Sequence, residues 1–131
     1  HPGEMAVLTG LPTETIQADR IGLARKYAAE WGHIVVLKGA FTIVAAPDGR
    51  ATLLPFATAA LAHAGTGDVL AGTITGLLAQ GVGPYAAAVA GGYLQGLAGL
   101  QAASLLGSTA GVVASDVLEG LIEALAIVGA P

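Results

Sequence analysis

The sequence predicts an α/β fold of which few strands are in view. Three observations carry this expectation. Ile34-Val35-Val36-Leu37 is a continuous β-branched apolar run, the mark of a buried strand in a largely parallel sheet. Two shorter apolar runs flank the turn Pro47-Asp48-Gly49-Arg50, and most of the remaining sequence has helical spacing with glycine stops. The order is helix, strand, strand hairpin, then three helices, which reads as a portion of a larger sheet domain.

From the start of the chain, His1-Pro2-Gly3-Glu4 reads as a loop leading into a short helical turn over Met5-Ala6-Val7-Leu8. Pro12-Thr13-Glu14-Thr15 supplies cap candidates and an acidic first turn. Ile16, Leu23, Ala24, Tyr27, Ala28 and Trp31 then recur at helical spacing, with Gly32 as the stop and Arg20, Arg25, Lys26 and Glu30 on the wetter side. Tyr27 and Trp31 read as packing residues. The strand at Ile34–Leu37 ends at Lys38-Gly39, and a second strand is expected over Phe41–Ala45. Proline presets φ and Asp48-Gly49 favours reversal, so Ala51-Thr52-Leu53-Leu54 returns as a hairpin partner. After Gly65-Thr66-Gly67-Asp68 a helix should reach about Gln80 and stop at Gly81. Pro84 opens a long alanine-rich helix to about Leu106. Ser115-Asp116 is expected to cap a last helix through Ala126, with Glu119 and Glu123 outward.

The chain has 131 residues, enough for one domain with a real core. It is 54% hydrophobic and 11% charged, with mean hydropathy +0.73, and much of the apolar count is alanine and glycine. So little charge implies that part of the surface is covered, by further chain of the same fold or by a second copy. The five cations are scattered and the net charge is −4, which excludes a nucleic-acid patch. Without cysteine there are neither disulfides nor thiolate metal sites. No charged residue lies between Asp68 and Asp116, and Gly92-x-x-x-Gly96 suits close helix packing in a bilayer as in a soluble core. Pro84, Gln80, Gln95 and Gln101 interrupt any span, so buried helices and no membrane are expected. No leader is read at the start, and a beginning at His1 suggests a processed or excised product.

The most informative segment is His63-Ala64-Gly65-Thr66-Gly67-Asp68-Val69-Leu70-Ala71-Gly72. Two glycines around a threonine at a helix start offer backbone N–H groups to an anion such as phosphate. The carboxylate of Asp68 beside them could accept a proton from a hydroxyl that attacks that phosphate. The same spacing also suits a plain glycine turn with Asp68 as a first-turn residue favoured by the helix dipole. Lys38 similarly reads either as a solvated strand end or as a ligand at a strand's carboxyl edge. Asp48 reads as a turn residue, and His33 and His63 show no metal-ligand spacing.

Taken in order, His1-Pro2-Gly3-Glu4, Val36-Leu37-Lys38-Gly39-Ala40, Pro47-Asp48-Gly49 and Gly65-Thr66-Gly67-Asp68-Val69-Leu70-Ala71-Gly72 resemble the ADP/ATP-dependent NAD(P)H-hydrate dehydratases of the ribokinase-like superfamily. The resemblance covers nearly the whole chain. It implies a ribokinase-like three-layer α/β fold, with residues 1–131 as the C-terminal part of a single domain roughly twice this length. It implies repair of hydrated NADH and NADPH with ADP or ATP and Mg²⁺, by phosphorylation of the ring hydroxyl and elimination of phosphate. Carried over residue by residue, nucleotide binding falls on Lys38, Gly39, Ala40, Phe41, Thr42 and Gly67, and contact with the hydrated dinucleotide on His1 and Asp68. Asp68 would act as base, with the amides of Gly65, Thr66 and Gly67 as the anion hole. No metal-ligand set is indicated.

Some positions depart from the family pattern. Ala57-Thr58-Ala59-Ala60 stands where the family commonly has Gly-Asn-Pro-Gly, His63 where it has threonine, Ala64-Gly65 where it has Gly-Gly, and Gln95 where it often has histidine. These changes bear on nucleotide contacts and leave Gly67-Asp68 intact, as in a divergent branch. The resemblance further implies a cytoplasmic enzyme that is a homo-oligomer or associates with its N-terminal half, and an inactive isolated fragment. Two rival functions stay open: a small-metabolite kinase of the same superfamily, and a non-catalytic anion- or nucleotide-binding module.

Overall fold

The computed structural model describes residues 1–129, which fall into two compact units, His1–Pro55 and the described residues from Phe56 onward. In the first unit, α1 (Pro2–Thr9) is a full helix, not the expected loop and turn. Its start is built by a capping box. His1 Nδ1 accepts the Gly3 amide at 3.0 Å, and the Glu4 carboxylate reaches back to the His1 nitrogen. Proline at the first helical position fits the same geometry.

The single helix expected up to Gly32 is two. α2 (Thr13–Ala18) ends at Asp19, whose φ of −142° and ψ of 63° leave the helical region. The Asp19 carboxylate then accepts the Gly22 amide at 2.9 Å and starts α3 (Arg20–Trp31), which Gly32 closes in the left-handed conformation. The side chain of a mid-pattern aspartate competes for backbone donors, and the break follows from that.

β1 (Val35–Leu37), β2 (Ile43–Ala45) and β3 (Ala51–Leu53) form one sheet in that order. Both pairings are antiparallel: that of β2 with β3 is the expected hairpin, and that of β1 with β2 corrects the expectation of a parallel neighbour among the described strands. The connections, residues 38–42 and 46–50, are far shorter than the roughly dozen residues a parallel crossover needs. β2 also starts later than expected, because Phe41 has a φ of +54° that no strand accommodates. The register pairs Leu37 with Ile43 and Val35 with Ala45. These residues pack with Met5, Ile16, Ala24, Tyr27 and Ala28 into one core, where each fully buried large aliphatic contributes about 1.5–3 kcal/mol. The rings of Tyr27 and Trp31 lie 4.9 Å apart as part of that packing.

In the second unit, Thr58 caps a short 3₁₀ turn (Ala59–Leu61) through the Ala60 amide. α4 (Thr66–Ala79) and α5 (Pro84–Leu106) start as the sequence predicts, and Gly81, with a φ of +86°, follows the end of α4. α6 (Ala114–Gly129) starts one residue ahead of its expected cap, because Asp116 accepts the Val113 amide at 2.8 Å from within the first turn. Leu118, Ile122 and Leu125 on α6 are exposed, as the shortage of charge foreshadows. Among the described residues, no helix is long and apolar enough to cross a membrane.

Small residues set how closely these helices approach. Ala87, Ala88, Gly91, Gly92, Ala98 and Ala102 of α5 are buried. A Cβ at Gly91 would lie 2.7 Å from Ile74 Cγ1, and one at Gly96 only 2.2 Å from the Phe56 ring. On α6, a Cβ at Gly120 would lie 2.6 Å from the Ala98 carbonyl oxygen, a backbone atom that cannot turn aside. Gly120→Ala is therefore expected to destabilise the protein by roughly 1–3 kcal/mol, measured as a lower denaturant midpoint. Gly76→Ala, in the interior of α4 with nothing within 4 Å of its Cβ position, should raise stability by about 0.5–1 kcal/mol. Equal effects at the two positions would contradict this packing.

Candidate functional site

The predicted nucleotide residues Lys38–Thr42 form the connection between β1 and β2, closed at its base by the Leu37–Ile43 pair. Gly39 has a φ of +145° and Phe41 a φ of +54°, so two of the loop's residues lie outside ordinary L-residue space. The Thr42 hydroxyl ties the loop across itself, donating to the Gly39 carbonyl at 3.0 Å and accepting the Gly39 amide at 3.3 Å. Phe41 is largely exposed.

Arg20, assigned by sequence spacing to the wet side of its helix, lies instead against this loop. Its Nη1 donates to the Ala40 carbonyl at 2.7 Å, and Nη2 to those of Leu37 and Lys38 at 3.2 and 3.4 Å. Burial lowers its pKa from the usual arginine value, although a guanidinium stays charged in proteins. The periodic pattern hides this residue because apolar spacing runs one helix through Asp19 and leaves Arg20 on its wetter side.

Glu4 is the other residue undervalued by the sequence. Its carboxylate meets the His1 amino nitrogen and lies 3.9 Å from Lys38 Nζ. It thereby bridges His1, the expected dinucleotide contact, and Lys38, the expected nucleotide contact. The hydrogen bond from the His1 nitrogen, and then the charge of Lys38, hold the Glu4 carboxyl below its ordinary value of 4.5. The His1 ring is occupied as the cap of α1, accepting the Gly3 amide. An open, largely apolar groove of about 230 Å³ runs from His1, Glu4 and Leu8 past Trp31 and His33 to Leu37. It stops short of the 38–42 loop.

In the second unit, Gly65 takes the left-handed conformation, φ +85°, at the N-cap of α4. A side chain there would also meet the Ala114 Cβ at 3.0 Å. Thr66 is buried and turned inward. Its hydroxyl donates to the Leu61 and His63 carbonyls at 2.9 Å each, and its amide to His63 at 3.3 Å. The Asp68 amide closes onto Gly65 at 3.1 Å, while the Gly67 amide has no partner among the described residues. The Asp68 side chain is exposed in the first turn of α4, also without a partner among them. Buried Gln95, on α5, donates through Nε2 to the Thr66 carbonyl at 2.5 Å and pins this turn from beneath. His63 Nε2 lies 3.2 Å from the Thr109 carbonyl, holding the approach to the turn.

The arrangement offers an anion a free amide at a helix start, with a carboxylate one residue away. Among the described residues, no group of three or more histidine, aspartate or glutamate side chains could hold a metal. Asp48 serves its turn, as expected: it accepts the Arg50 amide at 3.1 Å and pairs with the Arg50 guanidinium.

The Glu4 contacts set a pH dependence. A carboxyl whose folded pKa is depressed adds stability above its unfolded value and loses it as pH falls through the folded one. Glu4 should therefore titrate below 4.5 by NMR, and Lys38→Met should move it upward. A Glu4 midpoint unmoved by Lys38→Met would remove the bridge between these residues.

A family model described as NAD(P)H-hydrate dehydratase matches residues 1–123. The chain is 48% identical over 121 residues to a bifunctional NAD(P)H-hydrate repair enzyme of Moorella thermoacetica, covering 92% of this chain and 23% of that protein. It is 44% identical over 117 residues to an ADP-dependent (S)-NAD(P)H-hydrate dehydratase of Neisseria meningitidis, covering 89% of this chain and 40% of that protein. Among solved structures, the ADP/ATP-dependent NAD(P)H-hydrate dehydratase of Bacillus subtilis, co-crystallised with ATP/Mg²⁺ and soaked with CoA, matches with a TM-score of 0.85. That match has 35% identity over 95% of this chain and 46% of the solved one. The chain thus spans less than half the length of these relatives.

Proposed function

The chain belongs to the NAD(P)H-hydrate dehydratase family, and from that premise we propose that it supplies the nucleotide loop and catalytic turn for ADP- or ATP-dependent dehydration of hydrated NADH and NADPH. The observation that carries this reading is the α4 start, where an unpartnered Gly67 amide stands next to an unpartnered Asp68 carboxylate. Phosphoryl transfer needs little covalent chemistry from a protein; it needs a donor for the developing charge and a group to orient the attacking hydroxyl. Asp68 would accept the proton of the hydroxyl on the hydrated nicotinamide ring as its oxygen attacks the terminal phosphorus, and the bond to the departing nucleotide, now one phosphate shorter, breaks. The ring carbon–oxygen bond of the phosphate ester then breaks, phosphate leaves with that oxygen, and loss of a proton from the adjacent ring carbon restores the double bond.

Of the three amides expected to hold the phosphoryl group, the donor of Thr66 is engaged with His63, so Gly65 and Gly67 fit that role better. The inward Thr66 side chain would instead fix the curvature of the turn. Lys38–Thr42 would contact the nucleotide, with Lys38 as a point charge near its phosphates, and His1 would border the hydrated dinucleotide. Mg²⁺ favours one or two carboxylates together with substrate phosphates and water over an all-protein cage. A lone carboxylate at Asp68 fits a cation carried on the nucleotide, which would neutralise phosphate charge when bound.

We further read residues 1–131 as the C-terminal part of one ribokinase-like domain, in a cytoplasmic protein that is a homo-oligomer or joins its N-terminal half. On this reading the separated chain turns over little or no substrate. The catalytic role is tested with Asp68→Asn in the full-length protein. Phosphate release from hydrated NADPH should fall by roughly 10²–10⁴-fold while ATP affinity stays within about twofold. Undiminished turnover would sink the catalytic role and leave an anion-binding turn. A stable phosphorylated product without phosphate release would identify a small-metabolite kinase instead.

A further inference from the structure

We propose that Arg20 is a positioning residue of the nucleotide loop, which it holds in anion-ready form by gathering the carbonyls of Leu37, Lys38 and Ala40. The inference rests on the reading of Lys38–Thr42 as the nucleotide contact. The three donor–acceptor distances are 3.2, 3.4 and 2.7 Å, and they come from one guanidinium. A planar fork spreads donors in fixed directions over two terminal nitrogens, whereas an ammonium must serve all its acceptors from one atom.

The consequence for an anion follows from peptide geometry. All peptide bonds described here are trans, so each N–H points opposite to the carbonyl of its own peptide unit. Carbonyls drawn toward Arg20 therefore turn the amides of Lys38, Gly39 and Phe41 away from it. The Gly39 amide is taken up by Thr42, which leaves those of Lys38 and Phe41 on the outward side of the loop. Three carbonyl oxygens that would repel phosphate are held against a cation at the same time. Successive amides presented in a turn form an anion-binding concavity.

The loop needs such support. Phe41 at φ +54° is a conformation that a bulky residue leaves unless its surroundings fix it. The Ala40–Phe41 peptide carries the shortest of the three Arg20 bonds. Arg20 also fills the space that a side chain at residue 39 would enter, since a Cβ at Gly39 would lie 2.9 Å from Nη2. Arg20 opens α3, whose first turn Asp19 caps through the Gly22 amide.

The test compares Arg20→Ala and Arg20→Lys in the full-length protein with Lys38→Met and Thr42→Ala. ATP/Mg²⁺ affinity, the KM values for ATP and for hydrated NADPH, and amide hydrogen exchange over residues 38–42 are measured for each. Arg20→Ala should raise the nucleotide Kd and KM by roughly tenfold to a hundredfold and speed exchange in the loop. The KM for hydrated NADPH should stay within about twofold, a split that general loss of folding would not produce. Arg20→Lys, which keeps the charge but not the fork, should fall between the wild type and Arg20→Ala. If Arg20→Ala fails to fold, the same split in Arg20→Lys decides the matter. Nucleotide affinity unchanged in a folded Arg20 variant, or both KM values moving together, would overturn the positioning role. If Lys38→Met and Thr42→Ala leave nucleotide affinity unchanged as well, the loop reading itself fails, and Arg20 merely closes a hairpin.

Discussion

The second unit depends on close approach of helix backbones, and that approach depends on the absence of side chains along α5. Gly91, Gly96 and Gly99 each face an atom that a Cβ would displace, and Gly120 presses α6 against the Ala98 carbonyl. The energy of such an interface is short-range dispersion, lost quickly when atoms separate by even half an ångström. The helix that provides this spacing also carries Gln95, whose amide reaches the Thr66 carbonyl at 2.5 Å. That hydrogen bond ties α5 to the first turn of α4. The position of the Gly65–Asp68 turn is therefore a consequence of alanine and glycine packing well away from it.

The first unit positions its loop by a different device. Its sheet is small, and the core beneath it is made of Ile16, Leu37, Ile43 and their aliphatic and aromatic neighbours. The hairpin connection that leaves this core contains two residues at positive φ, which a bare loop would not keep. Arg20 and Thr42 supply the bonds that hold it, one from a helix and one from within the loop. Functional loops on a rigid scaffold commonly follow this division, with rigidity supplied from below and chemistry displayed above.

The parts of this structure legible in the sequence are those where one local rule decides. Gly81 after α4, Pro84 at the start of α5 and the Asp48-Gly49 reversal all stand where turn and cap chemistry place them. The direction of β1 against β2 was not legible, because a buried β-branched run looks alike in parallel and antiparallel pairing. The lengths of the connections carried that information instead. The break at Asp19 and the helix from Pro2 depend on side-chain caps to amides two or three residues away, which apolar periodicity does not register. Arg20 and Gln95 were beyond local reading. Each acts on a segment distant in sequence, the first on residues 37–40 and the second on Thr66.

The departures from the family pattern can be weighed by what each residue does in the fold. Thr58 stands within the stretch where relatives of this family commonly read Gly-Asn-Pro-Gly. Its hydroxyl caps the Ala59–Leu61 turn by accepting the Ala60 amide at 3.2 Å. Threonine and asparagine belong to the same small set of side chains that cap a helical turn, so the local geometry survives a change between them. Gln95 stands where the resemblance leads one to expect a histidine, and it donates one N–H to a backbone carbonyl. An imidazole N–H can do the same, but its donor state depends on tautomer and protonation, whereas an amide donates at any ordinary pH. The substitution therefore retains the support under the Gly65–Asp68 turn and removes a titratable group from it. Divergence of this kind changes which atoms hold the turn in place while the amide of Gly67 and the carboxylate of Asp68 stay without a partner among the described residues.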